Sequence, residues 1–193
     1  MNWEEVISNV NIYGLEETVQ GSAYPVAEAV EKPGNGHDSF LNGIIVQLDL
    51  TFSNKAWVEA ERFHFLDFVS TQSAMNRITK FDLDHAYIQY TDPRIVGIMK
   101  EKVREYNTLQ EEIRQLQEEG KDVTTLNDVA SNKYLEIIYS NPAGFRLTAR
   151  MTTNYRQLRM IYRARKGNRL PEWKAFCAWI ETLPYNEYLI EQN

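Results

Sequence analysis

Cysteine, histidine and long apolar runs are scarce in this sequence of 193 residues, and each scarcity excludes a class of protein. The single cysteine, Cys177, cannot form a disulfide within the chain, which fits a reducing compartment. The three histidines, His37, His64 and His85, are far apart in sequence, so we predict no metal cofactor. No apolar run approaches the roughly 18 residues that cross a bilayer, and the N-terminal segment has no apolar signal core. We therefore expect a cytoplasmic protein with no membrane partner.

The chain is acidic overall but strongly basic in one segment. A net charge of −6 and a pI near 5.2 argue against nucleic acid as a partner. Residues 144–170 nonetheless contain eight basic residues and no Asp or Glu. A basic segment on an acidic protein indicates a discrete anionic ligand. With 43% hydrophobic residues, the chain has material for one core, and we predict a single domain over residues 1–193, of which 1–35 are hard to interpret.

The hydrophobic periodicity predicts an α+β fold with long helices packed on a small sheet. Alternating apolar residues predict a strand over 44–52, and Ser53 is placed to cap a following helix. Ala56, Trp57, Ala60, His64 and Phe68 have helical spacing there, and the polar segment 70–77 either continues that helix or forms a loop. The remaining predicted elements are helices at 92–119, 125–139, 154–166 and 171–183 and a strand at 144–152.

The arginines of the basic segment form the first candidate site. Arg146 and Arg150 share one surface of the strand, where guanidinium groups suit phosphate or carboxylate oxygens. Three arginines share one face of the next helix: Arg156, Arg159 and Arg163. Thr152 or Thr153 is expected to cap that helix. Arg165 lies on its apolar side, where a ligand, a subunit contact or a structural ion pair would satisfy it. The alternative for Arg156, Arg159 and Arg163 is that they form ion pairs with acidic helices of this chain or of another subunit.

A second constellation of donors follows the first strand: Arg62, His64, Ser70, Gln72, Ser73 and Arg77. These groups suit recognition of a heterocycle and a phosphate, whereas no acid–base relay for covalent catalysis is evident. The structural alternative is that Ser73 caps a helix and His64 packs on the core. Cys177 lies on an apolar helical face, so we predict a buried thiol.

The order of these motifs resembles the flavin-dependent thymidylate synthase family over residues 36–183. His37 and Ser39 stand in a Gly-His-x-Ser pattern before the first strand. Arg62 and His64, with the later Ser70, Ser73 and Arg77, stand near the family's Arg-His-Arg motif and its spaced hydroxyls. The C-terminal pattern, Asn-x-Arg-x-Leu with a later arginine and tryptophan, is similar at Asn154, Arg156, Leu158, Arg165 and Trp173.

The resemblance implies the fold of that family. It also implies a homo-oligomer, with a tetramer as the first expectation and a dimer as the second. It implies a nucleotide site with dUMP as ligand and FAD as cofactor, in a reductive methylation that uses methylene-tetrahydrofolate and NADPH. On this basis His37, Ser39, Asn154 and Arg165 would contact the flavin. The nucleotide and its phosphate would be contacted by Arg62, His64, Ser70, Ser73, Arg77, Arg146, Arg150 and Arg156.

At two places the sequence departs from the family's pattern, so the chain resembles a divergent member. Asn42-Gly43 stands where the family has Glu-His, and Met160 stands where it has a histidine. We therefore expect no tight flavin binding. The alternative to a flavoenzyme is a non-catalytic protein that sequesters or senses a nucleotide or acts through protein contacts.

Overall fold

A computed structural model describes residues 1–21, 37–73 and 77–190 of the chain. The chain divides into two compact units: Met1–Thr71 with Thr148–Asn193, and Gln72–Leu147. None of the helices described here combines the length and the apolar character that crossing a bilayer requires.

Four strands of the described chain form one sheet, in the order β1-β2-β4-β3. β1 is antiparallel to β2, and β3 is antiparallel to β4. The strands are Ile7–Tyr13 (β1), Ile45–Ser53 (β2), Asp67–Thr71 (β3) and Arg146–Asn154 (β4). The periodicity predicted β2 and β4, and both are confirmed. β1 was not predicted, and a short 3-10 helix, Trp3–Glu5, precedes the strand.

One face of β2 packs into the core of the first unit. Its residues Val46, Leu48, Leu50 and Phe52 are all fully buried, as the alternation predicts. At the end of β2, the Ser53 hydroxyl accepts a hydrogen bond from the backbone N–H of Ala56, which confirms the predicted cap.

The helix that follows is much shorter than its spacing predicts. The first α-helix of the chain, α1, covers Leu15–Gly21, and the helix after β2, α2, covers Asn54–Ala60. The helical positions assigned to His64 and Phe68 are therefore wrong. Phe65 has a φ of 61°, a backbone conformation that helices exclude, and the chain turns there into β3. His64 is exposed, so its predicted packing on the core is also wrong. Ser70 lies in β3, in neither a helix nor a loop.

The second unit is built on two long helices, α3 (Pro93–Glu118) and α4 (Thr124–Ser140). Asp92 caps α3 by accepting the Arg94 N–H at 2.9 Å, as the Asp-Pro start predicts. Salt bridges join the two helices from Lys102 to Glu136 at 3.1 Å and from Lys133 to Glu105 at 2.8 Å. The unit's main core cluster is apolar: Ile78, Leu83, Ala86, Met99, Val103, Ile137 and Phe145.

Two helices complete the first unit, α5 (Tyr155–Arg165) and α6 (Pro171–Ile180). Asn154, rather than Thr152 or Thr153, caps α5, because its side chain accepts the Gln157 N–H at 2.8 Å. From α6, the Trp173 ring packs on Phe52 of β2 with ring centroids 4.9 Å apart. Cys177 of the same helix is buried, which confirms the prediction for the thiol.

A short helix precedes β2 and completes the frame of the candidate site. This 3-10 helix covers His37–Gly43, and it packs on α5. The backbone N–H of Tyr155, the first residue of α5, donates to the Ile44 carbonyl at 3.0 Å. Because this bond joins the chain before β2 to the start of α5, the N-terminus of α5 lies next to the 3-10 helix.

Candidate functional site

A basic site surrounds the N-terminus of α5. Asp38, buried in the 3-10 helix, lies 3.3 Å from Arg156 through its Oδ1 atom and 3.7 Å from Arg159 through its Oδ2 atom. The Arg156 side chain is 39% exposed, whereas those of Arg159 and Asp38 are 5% and 8% exposed. Arg156 is therefore the member of the trio that an external ligand can reach.

The electrostatics of this site favour an anion. Two guanidinium groups face one carboxylate, so the trio of Asp38, Arg156 and Arg159 carries a net positive charge. The first turn of α5 contains no acidic residue. The helix macrodipole adds positive potential at the same end.

Four of the predicted site residues meet around this trio. His37 and Ser39 are exposed and flank Asp38 in the sequence. Asn154 caps the helix on which Arg156 stands. The structure therefore brings together three residues assigned to the flavin and one assigned to the phosphate.

Arg165 is the last residue of α5, about 15 Å along the helix axis from its first residue, Tyr155. Its Nη1 atom is 3.0 Å from the Glu59 carboxylate. Its guanidinium carbon lies 5.1 Å from the ring centroids of both Phe63 and Trp173, in cation–π contact. Of the alternatives for Arg165, the structure therefore contains the ion pair within the chain.

Arg150 is also engaged within the chain. Its Nη1 atom donates to the Asn9 carbonyl at 2.6 Å and to Asp49 Oδ1 at 3.3 Å. These contacts link β4 to β2 and β1. Arg150 thus contributes to the sheet surface, and only part of its hydrogen-bonding capacity remains for a ligand.

The second constellation is divided between the two units. Arg62, His64 and Ser70 belong to the first unit and are exposed. Gln72, Ser73 and Arg77 belong to the second unit, as does Arg146 of the first candidate site. There the Arg77 guanidinium lies 5.8 Å above the Phe81 ring. Neither unit by itself contains the whole predicted set.

Two carboxylates that organise these arginines were not identified from the sequence. Asp38 stands inside the Gly-His-x-Ser pattern, where an acid among polar residues was the available signal. Glu59 lies on α2, and no local pattern connects it with Arg165. Over the ranges 1–21, 37–73 and 77–190, no group of three or more His, Cys, Asp or Glu side chains is placed to hold a metal ion.

Comparison with known proteins identifies the fold. No family model matches the sequence, and no curated protein matches it. Two structures of the flavin-dependent thymidylate synthase ThyX from Helicobacter pylori, both with FAD and dUMP, match the fold with TM-scores of 0.60 and 0.59. Sequence identity is 17% and 16%, and each match covers 95% of this chain and 98% of the other. The predicted α+β, ThyX-like fold is therefore confirmed.

Proposed function

We propose that the protein binds a phosphate-bearing nucleotide, with the phosphate at the N-terminus of α5. The observation that carries this proposal is the Asp38 trio, in which Arg159 balances the buried carboxylate and Arg156 remains accessible. The similarity in fold to a ThyX structure with dUMP supports a nucleotide as the ligand class.

A phosphate at this site would be held by charge and by hydrogen bonds. Arg156 offers a planar fork of donors, and each charge-assisted hydrogen bond contributes about 1.5–3 kcal/mol. His37 and Ser39 are exposed beside Asp38 and are the proposed neighbours of the ligand. Asn154 holds the first turn of α5 and thereby positions Arg156.

The other predicted contacts remain part of the proposal. Arg62, His64 and Ser70 supply exposed donors for the rest of the nucleotide, and Arg150 shares its guanidinium with Asp49. Ser73, Arg77 and Arg146 belong to the second unit, and their contact with the nucleotide stays a prediction from the sequence. In this function the protein sequesters or senses the nucleotide without redox chemistry.

A flavoenzyme is the second candidate, favoured by the similarity in fold to a structure with FAD. The residues assigned to the flavin fit it poorly as they stand. Arg165 is held by Glu59, Phe63 and Trp173, and the Asn154 side chain accepts the Gln157 N–H. Arg165 would have to release these contacts to bind a flavin, and Asn154 offers only the part of its amide that Gln157 leaves unused, so we derive no hydride transfer. Visible flavin absorption in a near-stoichiometric amount after purification would favour this candidate instead.

The proposed function is tested by titration calorimetry with dUMP. We expect Arg156→Ala to weaken dUMP binding about tenfold or more, because charge-assisted bonds are lost. The matched control is Arg114→Ala, which removes an exposed arginine from α3, where Arg114 pairs with nearby Glu111 at 2.7 Å. Equal dUMP affinity for both variants and the wild type would refute the site.

A further inference from the structure

A second basic pocket lies at the turn between α5 and α6. It is an open pocket of about 720 Å³, a size in the range of ligand sites. Its wall includes Arg163, Lys166, Gly167 and Arg169, together with Glu59. This pocket is at the opposite end of α5 from Arg156, so it is separate from the site proposed above.

The one carboxylate on this wall is already neutralised. Glu59 receives Arg165 Nη1 at 3.0 Å and the Asn168 side-chain amide at 3.2 Å. Lys55 lies at 4.0 Å from the same carboxylate. The acidic side chain in the pocket therefore does not offset the three basic residues that line it.

Two of those basic residues lack an acidic partner. Lys166 and Arg169 are both exposed, and no ion pair among the described residues includes either of them. The Lys166 Nζ atom lies 5.8 Å from the centroid of the Tyr162 ring. Both charges are thus available to a ligand.

Stabilisation of the end of α5 explains only part of this charge. Basic side chains in a last helical turn interact favourably with the helix dipole, which accounts for Arg163 and Arg165. Arg169 lies beyond the helix, where this effect has faded. The next acidic residue in the sequence, Glu172, is 2% exposed and accepts a hydrogen bond from the Ser53 hydroxyl at 2.5 Å. The Glu172 carboxylate therefore lies in the protein interior and not on the pocket wall.

The start of α6 adds positive potential to the same wall. Leu170 lines the pocket and is the N-cap residue of this ten-residue helix. Its side chain has no acceptor for the N–H groups of the first turn, and no side-chain hydrogen bond caps the helix there. Glu172 in the first turn offsets part of this potential, so Lys166 and Arg169 remain the main source of positive charge on this wall.

We propose that this pocket binds a polyphosphate anion of the pyrophosphate class, as an anion site separate from Arg156. Several basic side chains spread over one open pocket match a ligand whose negative charges are spread over two or more phosphate groups. A nucleoside diphosphate carries this chemistry, and so does free pyrophosphate.

Gly167 provides a sharp test of the pocket. A Cβ atom added at Gly167 meets no other atom within 4 Å, so a new side chain is accommodated without a clash. Gly167→Asp places a negative charge in the pocket, and Gly167→Ala is the matched control that adds only a methyl group. Both changes are made in an Arg156→Ala background, so that the site at the start of α5 does not contribute.

The measurement is calorimetric titration with pyrophosphate at low ionic strength. We expect Gly167→Asp to weaken pyrophosphate binding about tenfold or more, because the new carboxylate repels the bound anion. We expect Gly167→Ala to leave the affinity unchanged. Titration with a nucleoside diphosphate in the same proteins then shows whether a nucleoside adds affinity.

No heat of pyrophosphate binding in the Arg156→Ala protein would overturn the proposal, as would equal affinity for Gly167→Asp and Gly167→Ala. Tryptophan fluorescence checks that both variants are folded. Because the dUMP experiment uses Arg156 and this one does not, failure at either site leaves the other result unaffected.

Discussion

At the scale of the residue, the fold clearly changes the acid–base chemistry of the Cys177 thiol. Burial raises the pKa of Cys177 from 9.0 to about 12, and the negative charge of Glu181 acts in the same direction. The native protein therefore keeps the thiol protonated at pH 8. Since the unfolded chain ionises this group near its ordinary pKa, the stability it contributes is complete below about pH 9 and is lost as the pH rises towards 12.

We expect Cys177 in the native protein to react slowly with a thiol reagent at pH 8. Unfolding in urea should make the reaction fast, because both burial and the raised pKa disappear. The measurement is the rate of thiol modification with and without urea. A native rate equal to the unfolded rate would contradict the buried position of the side chain.

The arginines of the candidate site show what the sequence could predict and what it could not. Helical spacing correctly separated Arg156 from Arg165, because that separation depends only on the geometry of one helix. It could not identify Asp38 and Glu59 as their partners, because these carboxylates come from distant segments. A one-dimensional pattern records an excess of charge, whereas the pairing depends on how the elements pack.

At the scale of the element, α3 contains one glycine in its interior and one just past its end. Gly97 has open space around a hypothetical Cβ atom, and Gly120 has a φ of 73°. The first glycine costs helix stability through its backbone entropy, while the second suits the left-handed position that ends many helices.

We therefore expect opposite effects from the same substitution. Gly97→Ala should stabilise α3 by about 0.5–1 kcal/mol, and Gly120→Ala should destabilise it by about 1 kcal/mol. Thermal unfolding followed by far-UV circular dichroism measures both. Changes of the same sign would show that one of the two backbone assignments is wrong.

The elements that the sequence predicted well are those whose signals are local. β2 has an uninterrupted alternation, and α3 has a capping Asp92 with proline after it. β3 was missed because Phe68 also fits a helical spacing from Ala60, and no propensity indicates a positive φ at a residue as bulky as Phe65. β1 was missed because only Ile7 of its seven residues is buried, so no apolar alternation marks the strand.

At the scale of the whole molecule, we predict a homo-oligomer, with a tetramer first and a dimer second. The 26 residues of α3 span about 39 Å. Exposed apolar side chains lie on both long helices: Ile95 and Ile98 on α3, and Leu135 and Tyr139 on α4. Exposed apolar groups on neighbouring helices are typical of contact surfaces.

Light scattering at micromolar concentration tests this prediction. We expect a mass of four or two times 22.6 kDa. We also expect that dissociation of the oligomer abolishes nucleotide binding. A mass of 22.6 kDa with ligand binding intact would contradict both parts.

The central claim is that this ThyX-like fold recognises its ligand through a phosphate. The most direct test compares the binding of dUMP with that of deoxyuridine, which lacks only the phosphate, in the same calorimetric titration. The account predicts that dUMP binds, that its affinity falls as salt is raised, and that deoxyuridine binds at least about tenfold more weakly. Equal affinity for the two compounds, or the absence of dUMP binding, would contradict it.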